Sequence, residues 1–398
     1  HRERFIFNKI ITGGFRVGVS SKLVTRALAI VTNIEENVIM HRLMGNWTPQ
    51  SISFENLVLE KQGDEDLSRP YPFYLAYALD SEFDQLGSLD HWQAEYKWDG
   101  IRAQLIHRQG QVFLWSRGEE LISQRFPEFE QASQYLPDGT VLDGELVLFA
   151  GDVPMSFQHL QTRIGRKNVT KKILETMPAA MICYDLLEDK GEDIRSLVLK
   201  DRRNRLEKII SHQPGNVLKL SPTIDFHTWS ELDLLRQQAR NRNAEGIMLK
   251  HRDSKYQSGR KRGDWWKWKI DPLTIDAVLL YAQQGHGRRA NLFTDYTFAV
   301  WNGDDLVPFT KAYSGLTDAE FQEITRYVRA NTLDRYGPVR AVVPNLVFEI
   351  AFEGIQASSR HKSGVALRFP RMLRWRKDKH PKEANTLEDL KAILKQYG

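Results

Sequence analysis

The sequence contains almost no cysteine and no long apolar segment. Cys183 is the single cysteine among 398 residues, so an internal disulfide and a cysteine-rich zinc site are excluded, and a reducing, cytoplasmic location is expected. No apolar run approaches the roughly 18–20 residues of a membrane-spanning helix. No signal peptide is recognisable, and no membrane partner is expected. The first residue is His1 rather than methionine, and we expect further residues before it.

Signatures of several common enzyme classes are also absent. The sequence has no GxxxxGK[ST], no HExxH, no CxxC and no GxSxG, so a P-loop NTPase, a zinc enzyme and a serine hydrolase all lack their signature. The eleven histidines show no metal-ligand spacing.

The charge balance is only slightly basic. Lys and Arg number 56 against 51 Asp and Glu, which gives a net charge of +5. Such an excess permits a polyanionic partner where the charge is clustered. With 41% hydrophobic and 27% charged residues, the composition is that of a globular protein long enough for two or three domains.

Changes in periodicity predict three domains. Residues 1–45 are predicted to be helical, and the polar, proline-containing stretch 46–75 is predicted to be a linker. Strands with intervening helices follow to about 272. Short strands around one helix, which begins at the capping signal of Thr317, then predict a small barrel of the oligonucleotide-binding type. The predicted domains are 1–73 (the helical segment with its linker), 74–272 and 273–398.

The middle region shows the clearest elements. Its predicted strands, which are rich in β-formers, are 93–96, 102–107, 111–116, 141–149, 179–185, 246–251 and 265–270. Helices are predicted near 153–162, 196–210 and 229–242. A basic run, which is predicted to be either a solvated loop or a rim that binds a nucleic-acid backbone, contains Arg163, Arg166, Lys167, Lys171 and Lys172.

Residues 95–102, EYKWDGIR, place a lysine among a carboxylate, a glycine turn and an arginine. Lysine is a nucleophile only when its ammonium loses a proton, through desolvation or neighbouring positive charge. Asp99-Gly100 predicts a turn, and Arg102 supplies a cation suited to a phosphate or ribose. Considered alone, the octet is equally typical of a solvated surface turn.

Two strands are predicted to carry charges on one face. In 141–148, alternation places Asp143 and Glu145 opposite the leucines, where they could hold a metal or a ribose hydroxyl, or simply form an exposed face. In 265–270, Lys267 and Lys269 share a face. Two such lysines repel each other unless an anion lies between them, and they would favour the neutral form of a nearby Lys97.

Together, and in this order, the charged segments resemble the ATP-dependent DNA ligases of the covalent nucleotidyltransferase superfamily. The matching segments are KWDGIR at 97–102, SRG at 116–118, DGE at 143–145, YDLL at 184–187, EGIMLK at 245–250, WKWK at 266–269 and the basic segment 368–379. Trp98, Gly118 and Tyr184 depart from the residues most frequent in the family, but no charged catalytic group is missing.

The resemblance covers nearly the whole chain and implies a multidomain α+β fold. We expect a helical N-terminal segment, an ATP-grasp-like nucleotidyltransferase (adenylation) domain with antiparallel sheets, and a C-terminal OB-fold β-barrel. Residues 5–28 are similar to the last helices of the family's DNA-binding domain, whose front part is expected to be absent. A bacterial origin is expected.

The resemblance also implies a reaction in three steps. Lys97 attacks the α-phosphate of ATP, AMP passes from the lysine to the 5′-phosphate of a nick, and the 3′-hydroxyl then displaces AMP. ATP and Mg²⁺, for which Mn²⁺ can substitute, are the implied cofactors. Nicked double-stranded DNA is the implied partner, no protein partner is predicted, and a monomer is expected.

Residue roles follow from the motif positions. Glu95 would contact the adenine amino group, Tyr184 would stack on the base, and Arg102 and Glu145 would hold the ribose and nearby phosphate. Metal binding is expected from Glu145 and Glu245, and DNA contact from Arg16 and Arg117, the latter at the 5′-phosphate. The residues expected to neutralise phosphates are Lys250, Lys267 and Lys269, and those expected to orient pyrophosphate in the first step are Arg371, Arg376, Asp378 and Lys379.

Two alternatives remain open at this point. An RNA ligase or an mRNA capping guanylyltransferase shares the lysine motif and often the barrel domain. A non-catalytic DNA-binding protein with the same fold is the second alternative, against which the retained charged residues argue.

Overall fold

The structure is a computed structural model, and it describes residues 2–11, 19, 21–43, 47–59, 67–79, 86–166, 169–211 and 216–398. The chain divides into two compact units, His1–Ile270 and Asp271–Gly398. The expected division into three domains stays a prediction. None of the helices in the described ranges is long and apolar enough to cross a membrane.

The described residues at the start of the first unit agree with the helical prediction for 1–45 and form α1 (Arg2–Ile11), α2 (Ser21–Thr32) and α3 (Glu36–Leu43). The predicted linker over 46–75 is wrong at two places. A helical turn, Glu55–Leu59, packs its buried Leu57 and Val58 against α3. Tyr74 is completely buried. Apolar side chains drive both stretches into the protein, although the prolines and acidic residues between them are typical of a linker.

In the part that the structure describes, the rest of the first unit contains short strands, long strands and four α-helices. The strands are β1 (Tyr74–Leu75), β2 (Tyr77–Ala78), β3 (Trp92–Trp98), β4 (Ile101–Arg108), β5 (Gln111–Ser116), β6 (Thr140–Ala150), β7 (Val153–Pro154), β8 (Ala179–Asp189), β9 (Glu192–Asp193), β10 (Leu218–Leu220), β11 (Thr223–Ile224), β12 (Ala244–His251), β13 (Gly259–Arg260) and β14 (Trp265–Lys269). The helices are α4 (Phe157–Ile164), α5 (Lys171–Thr176), α6 (Leu199–Ser211) and α7 (Trp229–Gln237).

Two sheets organise this region. The larger runs in the order β10-β8-β6-β4-β5, with β7 and β9 attached, and the smaller in the order β11-β3-β12-β14-β2. Leu142, Leu146 and Leu148 pack into the core on one side of β6, as the alternation predicts. Trp266 and Trp268 pack on the far side of the smaller sheet, against Leu232 of α7. The polar faces of both sheets are therefore turned towards a shared cleft.

Arg163, the first residue of the predicted basic run, belongs neither to a solvated loop nor to a rim that binds nucleic acid. Arg163 is fully buried on α4 and donates to a carboxylate oxygen of Glu128 at 2.6 Å and to the carbonyl oxygen of Met177 at 2.6 Å. Its guanidinium also stacks on Phe126. Arg163 is thus a structural cation, and the prediction is wrong for this residue.

The second unit contains a seven-stranded antiparallel sheet, a separate two-stranded sheet of β21 and β22, and two α-helices. Its strands are β15 (Leu273–Gln284), β16 (Phe293–Asn302), β17 (Asp305–Ala312), β18 (Thr332–Tyr336), β19 (Val339–Val342), β20 (Val347–Phe352), β21 (Gly354–Ala357), β22 (Val365–Arg368) and β23 (Arg371–Trp375), and its helices are α8 (Asp318–Ala330) and α9 (Leu387–Tyr397). β15 pairs with β16 along one edge and with β20 and then β19 along the other.

The two helices of this unit both begin at a capping box. Thr317 and Glu320 cap α8, as predicted, and Thr386 and Asp389 cap α9. The prediction of one helix is therefore wrong, because α9 carries the same kind of start signal. The α+β fold is confirmed, and the sheets are mainly antiparallel, with parallel pairing of β1 with β13, β8 with β10 and β2 with β14.

Candidate active site

Lys97 lies at the end of β3, where the turn into β4 approaches β6 closely. A Cβ at position 100 would collide with the carbonyl oxygen of Leu146 and with the side chain of Glu145. Glycine is therefore required at this turn, because no other residue lets the two backbones come so near. The turn places Lys97 beside the polar face of β6 that carries Glu145.

Glu245 reaches the same place through a β-bulge in β12. Between Ala244 and Ile247 the register with β3 shifts by one residue, and Gly246 has a φ of 140°. The extra residue turns Glu245 onto the cleft face, which strict alternation would deny it. Its Oε2 is bonded to the Nζ of Lys97 at 2.5 Å and lies 3.9 Å from the Nζ of Lys269.

Five cations gather around this point and are called the cation group: Lys97, Arg117, Arg260, Lys267 and Lys269. Burial lowers the pKa of Lys267, and the other four members lower it further, with Arg260 the largest of the four. Mutual repulsion of this strength is typical of a site that binds a polyanion.

Arg260 is the member that the sequence pattern does not predict. β13, which carries it, pairs in parallel with β1, and the guanidinium lies over the ring of Tyr77 at 5.6 Å. The basic run at 260–262 is visible in the sequence, but β13 is only two residues long, so alternation gives no side-chain direction there.

Glu145 is a carboxyl group with a strongly altered acidity. Burial raises its pKa to about 7, and the nearby charges of Lys97 and Arg102 offset only part of that effect. Near neutral pH, Glu145 therefore exchanges between the acid and the carboxylate, and its capacity to hold a cation or accept from a hydroxyl changes accordingly.

Arg102 is largely occupied by protein groups. Its Nε and Nη2 donate to the two carboxylate oxygens of Asp143, at 3.2 and 2.7 Å, and its Nη1 donates to the carbonyl oxygen of Tyr74 at 2.6 Å. A longer bond of 3.4 Å joins Nη2 to the hydroxyl of Tyr256. Within the described part of the chain these four bonds leave one N–H, on Nη1, for a ligand.

Glu95 and Lys250 form a buried ion pair beneath the cleft. Oε1 of Glu95 accepts from the Nζ of Lys250 at 2.8 Å and from Gln93 at 2.9 Å. Burial alone would raise the pKa of Glu95, but the positive charges of Lys250 and Arg203 bring it below its usual value. Oε2 is buried and has no hydrogen-bond partner among the residues that the structure describes. An ionised acceptor of this kind suits an amino donor on a ligand.

Tyr184 and Lys250 are stacked instead of projecting separately into the cleft. The ammonium of Lys250 lies 4.3 Å from the centre of the Tyr184 ring and 4.9 Å from that of Trp265. Burial raises the pKa of Tyr184 well above its usual value, so the phenol is neutral. The structure thus places the charge of Lys250 against Glu95. The expected role of Lys250 in neutralising phosphates would require this charge to lie in the cation group, and it does not.

The remaining predicted residues lie elsewhere. Arg16 lies outside the described residues. In the second unit, Arg371 pairs with Glu353 at 2.9 Å, and Asp276 accepts from Arg376 at 3.0 Å and from Lys379 at 2.5 Å.

Arg376 and Asp378 are joined by a bidentate bond. Their closest atoms are 2.7 Å apart. The bond raises the pKa of Arg376 and holds that of Asp378 at about 2. Both side chains are therefore charged over the whole physiological pH range.

A divalent metal has only a partial protein site. The described residues contain no group of three His, Cys, Asp or Glu placed to hold a metal ion. Glu145 and Glu245 nevertheless lie near each other, because the charge of Glu245 adds to burial in raising the pKa of Glu145. Two carboxylates suit Mg²⁺ where phosphate oxygens and water complete its shell.

A groove of about 1670 Å³ opens beside the cation group within the first unit. Parts of α2 and α3 line one side, and the segment that carries Arg260 lines the other. The lining residues with positive charge are Arg26, Arg117, Arg195, Lys255, Arg260 and Lys261.

Comparisons with known proteins agree over most of the chain. A family model for the ATP dependent DNA ligase domain matches residues 75–269, and one for the ATP dependent DNA ligase C terminal region matches residues 289–379. A probable DNA ligase of Koribacter versatilis is 34% identical over 97% of this chain and 71% of its own length. A DNA ligase of Thermococcus fumicolans is 29% identical over 98% of this chain and 71% of its own length.

A solved structure shows the same fold. A Lig E DNA ligase, described as binding DNA with a minimal scaffold, aligns with a TM-score of 0.53 at 18% identity, over 77% of this chain and all of its own (100%).

Proposed function

This chain belongs to the ATP-dependent DNA ligases, and we propose on that premise that it seals nicks in duplex DNA through an AMP group carried on the Nζ of Lys97. The observation that carries the proposal is the position of Lys97, which lies between the two carboxylates Glu145 and Glu245 and inside the cation group. A lysine on a solvated turn would not be surrounded in this way.

In the first step the amine of Lys97 attacks the α-phosphorus of ATP. A P–N bond forms, the bond to the bridging oxygen breaks, and pyrophosphate leaves with the electron pair. The ammonium of Lys97 must first lose a proton, because an ammonium has no lone pair for attack, and the carboxylate of Glu245, to which it donates a hydrogen bond, is placed to accept that proton. Lys267, Lys269 and Arg260 offset the charge that develops on the phosphates, which is the main work of a protein in phosphoryl transfer.

Adenine selection rests on Glu95 and Tyr184. The unpaired Oε2 of Glu95 accepts from the 6-amino group of adenine, whereas guanine presents a carbonyl oxygen at that position and would be repelled. Tyr184 offers a neutral ring for stacking. Arg102 gives its remaining N–H to the ribose or the α-phosphate, with Glu145 on the other side of the sugar.

Mg²⁺ would be held by Glu145 and Glu245 together with phosphate oxygens and water. When bound, it supplies charge neutralisation on the phosphates. Arg371, Arg376, Asp378 and Lys379 of the second unit are proposed to orient pyrophosphate in the first step, and residues 273–398 are proposed to form an OB-fold domain.

The next two steps act on DNA. A 5′-phosphate oxygen of the nick attacks the phosphorus on Lys97, which breaks the P–N bond and moves AMP to the DNA. The 3′-hydroxyl then attacks the 5′-phosphorus, forms the new phosphodiester and releases AMP. Arg117 and the positively charged lining of the 1670 Å³ groove are the proposed contacts for the phosphate backbone of a nicked duplex, which the protein engages as a monomer.

The test is nucleotide labelling. Incubation with Mg²⁺ and ATP labelled at the α-phosphate is expected to leave label on the protein, in a bond that acid breaks and base does not, with release of pyrophosphate. The labelled protein should then seal a nick without further ATP. GTP labelled in the same way is expected to give no adduct. A GTP-specific adduct would contradict the ligase proposal and favour a capping guanylyltransferase.

The pH dependence of adenylation should report the acidity of Glu145. Because its pKa lies at about 7, the group is protonated below that pH and a carboxylate above it. The carboxylate is the form that binds Mg²⁺ or a ribose hydroxyl, so kcat/KM for ATP is expected to rise as pH increases through about 7. The rise should be absent in the Glu145→Gln variant, and an unchanged profile in that variant would assign the inflection to another group.

A further inference from the structure

The carboxylate of Asp143 is shared between Arg102 and a second residue that belongs to the opposite side of the cleft. Asp143 lies on β6 in the larger sheet and is completely buried. The hydroxyl of Tyr256 donates to its Oδ2 at 2.7 Å. Tyr256 lies in the segment that leads from β12 of the smaller sheet to β13, which pairs with β1. One hydrogen bond thus joins the two walls of the cleft.

Tyr256 is held in place independently of that bond. Its backbone N–H donates to the carbonyl oxygen of Arg195 at 3.0 Å, and its ring packs edge-on against Trp265 with the centroids 5.8 Å apart. The backbone N–H of Tyr74 donates to its hydroxyl oxygen at 3.3 Å. The residue is 4% exposed. Because the backbone and the ring are fixed, the hydroxyl hydrogen of Tyr256 points towards the carboxylate of Asp143.

The direction of Arg102 depends on Asp143 together with the carbonyl oxygen of Tyr74, to which Nη1 donates at 2.6 Å. Two of its nitrogens are aligned on that carboxylate, and Nη2 also reaches the Tyr256 oxygen. Without the phenol hydrogen, Oδ2 of Asp143 would keep the guanidinium as its one partner in the described part of the chain, and the carboxylate could rotate. The single N–H of Arg102 that remains for a ligand would then be less precisely oriented.

We propose that Tyr256 is a positioning residue for ATP: its hydroxyl orients Asp143 and, through it, the N–H that Arg102 presents to the ribose or α-phosphate. The inference rests on the proposed function, since it takes Arg102 as a contact of ATP. It assigns Tyr256 no contact with the nucleotide. Its effect is expected on the binding of ATP and, because the ribose and α-phosphate remain in the AMP group, also on the later steps.

The chain contains a matched control for this arrangement. At the other end of β4, Arg108 donates from Nε and Nη2 to the two oxygens of Glu188, at 3.0 and 2.6 Å. The hydroxyl of Tyr71 donates to Glu188 at 2.7 Å, as Tyr256 does to Asp143. Tyr71 is 7% exposed. Both groups thus join a buried phenol, a carboxylate and an arginine of β4, but Glu188 and Arg108 have no part in the proposed ATP site.

The experiment compares Tyr256→Phe with Tyr71→Phe in the full chain, with adenylation followed by single-turnover labelling across a range of ATP concentrations. Tyr256→Phe is expected to raise the KM for ATP by about tenfold, the loss expected for one poorly aligned bond from a charged donor, and to change kcat by less than about twofold. Both variants should lower the melting temperature to a similar extent. Sealing of a pre-adenylated nick is expected to be unchanged in Tyr71→Phe and weaker in Tyr256→Phe, because the AMP on the nick keeps the ribose and α-phosphate that Arg102 contacts.

Arg102→Gln separates failure of the inference from failure of the proposed function. If Arg102→Gln raises the KM for ATP and Tyr256→Phe does not, the positioning role is overturned and the ATP site stands. If Arg102→Gln leaves the KM unchanged, Arg102 is not a contact of ATP and the inference fails with it, while labelling of the protein by ATP still decides the proposed function. In the supporting outcome the double variant is no worse than Arg102→Gln alone, because the two residues act in series.

Discussion

Replacement of Lys97 by alanine is expected to abolish ATP-dependent nick sealing, with a loss on the order of 10⁴-fold or more, as for removal of other covalent nucleophiles. The side chain removed is the only one proposed to bond with AMP, and neither Lys267 nor Lys269 can replace it, because both are placed to bind the phosphates. Labelling by ATP should disappear together with sealing. Binding to a nicked duplex should be nearly intact, since the cations that line the groove remain.

A pre-adenylated nick separates the chemical role of Lys97 from a structural one. The third step uses AMP that is already on the DNA, so Lys97→Ala should seal this substrate with a loss of about tenfold at most, the value of one missing charge contact. Lys200→Ala is the matched control, because Lys200 is an exposed lysine of α6 that pairs with Asp253. Sealing of an ordinary nick by Lys97→Ala at the normal rate would end the covalent-lysine mechanism.

Regular strands explain why so much of this site follows from the sequence. In β6 and β14, side chains alternate across a sheet whose far face is packed with leucine or tryptophan, so the direction of Glu145, Lys267 and Lys269 follows from their spacing. The same alternation predicts that Asp143 shares the face of Glu145. It does not predict that Asp143 is already bound, because the groups that bind it come from β4 and from a distant loop.

The unpredicted parts lie where periodicity ends. The bulge at Gly246 reverses the direction of Glu245, and its sequence signal is one glycine that is equally consistent with a turn. Tyr256 lies in an irregular segment and Arg260 on the two-residue strand β13, and nothing in the local pattern tells which way either side chain points. Arg163 has a basic neighbourhood typical of a surface, and its burial follows from the position of Glu128, which is 35 residues away.

A second large effect is expected at the buried pair of Asp185 and Arg202. Both side chains are completely buried, and two bonds of 2.8 Å join them. Burial alone would lower the pKa of Arg202, but Asp185 brings it above its usual value, so the pair is charged. Asp185→Asn leaves that charge without a partner, which costs about 3–5 kcal/mol. For a unit of this size the melting temperature should fall by about 10 °C.

Loss of this ion pair should also disturb the geometry of the active site. Asp185 directly follows Tyr184, and Nη1 of Arg202 donates to the carbonyl oxygen of Ser254, two residues before Tyr256. A shift of either segment would misplace the base-stacking ring or the Asp143 contact, so adenylation should weaken even below the melting temperature.

Two controls show whether the buried charge is the cause. Lys200→Ala breaks an exposed ion pair on the same helix and is expected to change the melting temperature little, because solvent already screens that pair. The double variant Asp185→Asn, Arg202→Met removes both charges and should recover part of the loss, since no unpaired ion is left in the core. Additive losses in the double variant would show that packing, and not the unpaired charge, sets the stability at this position.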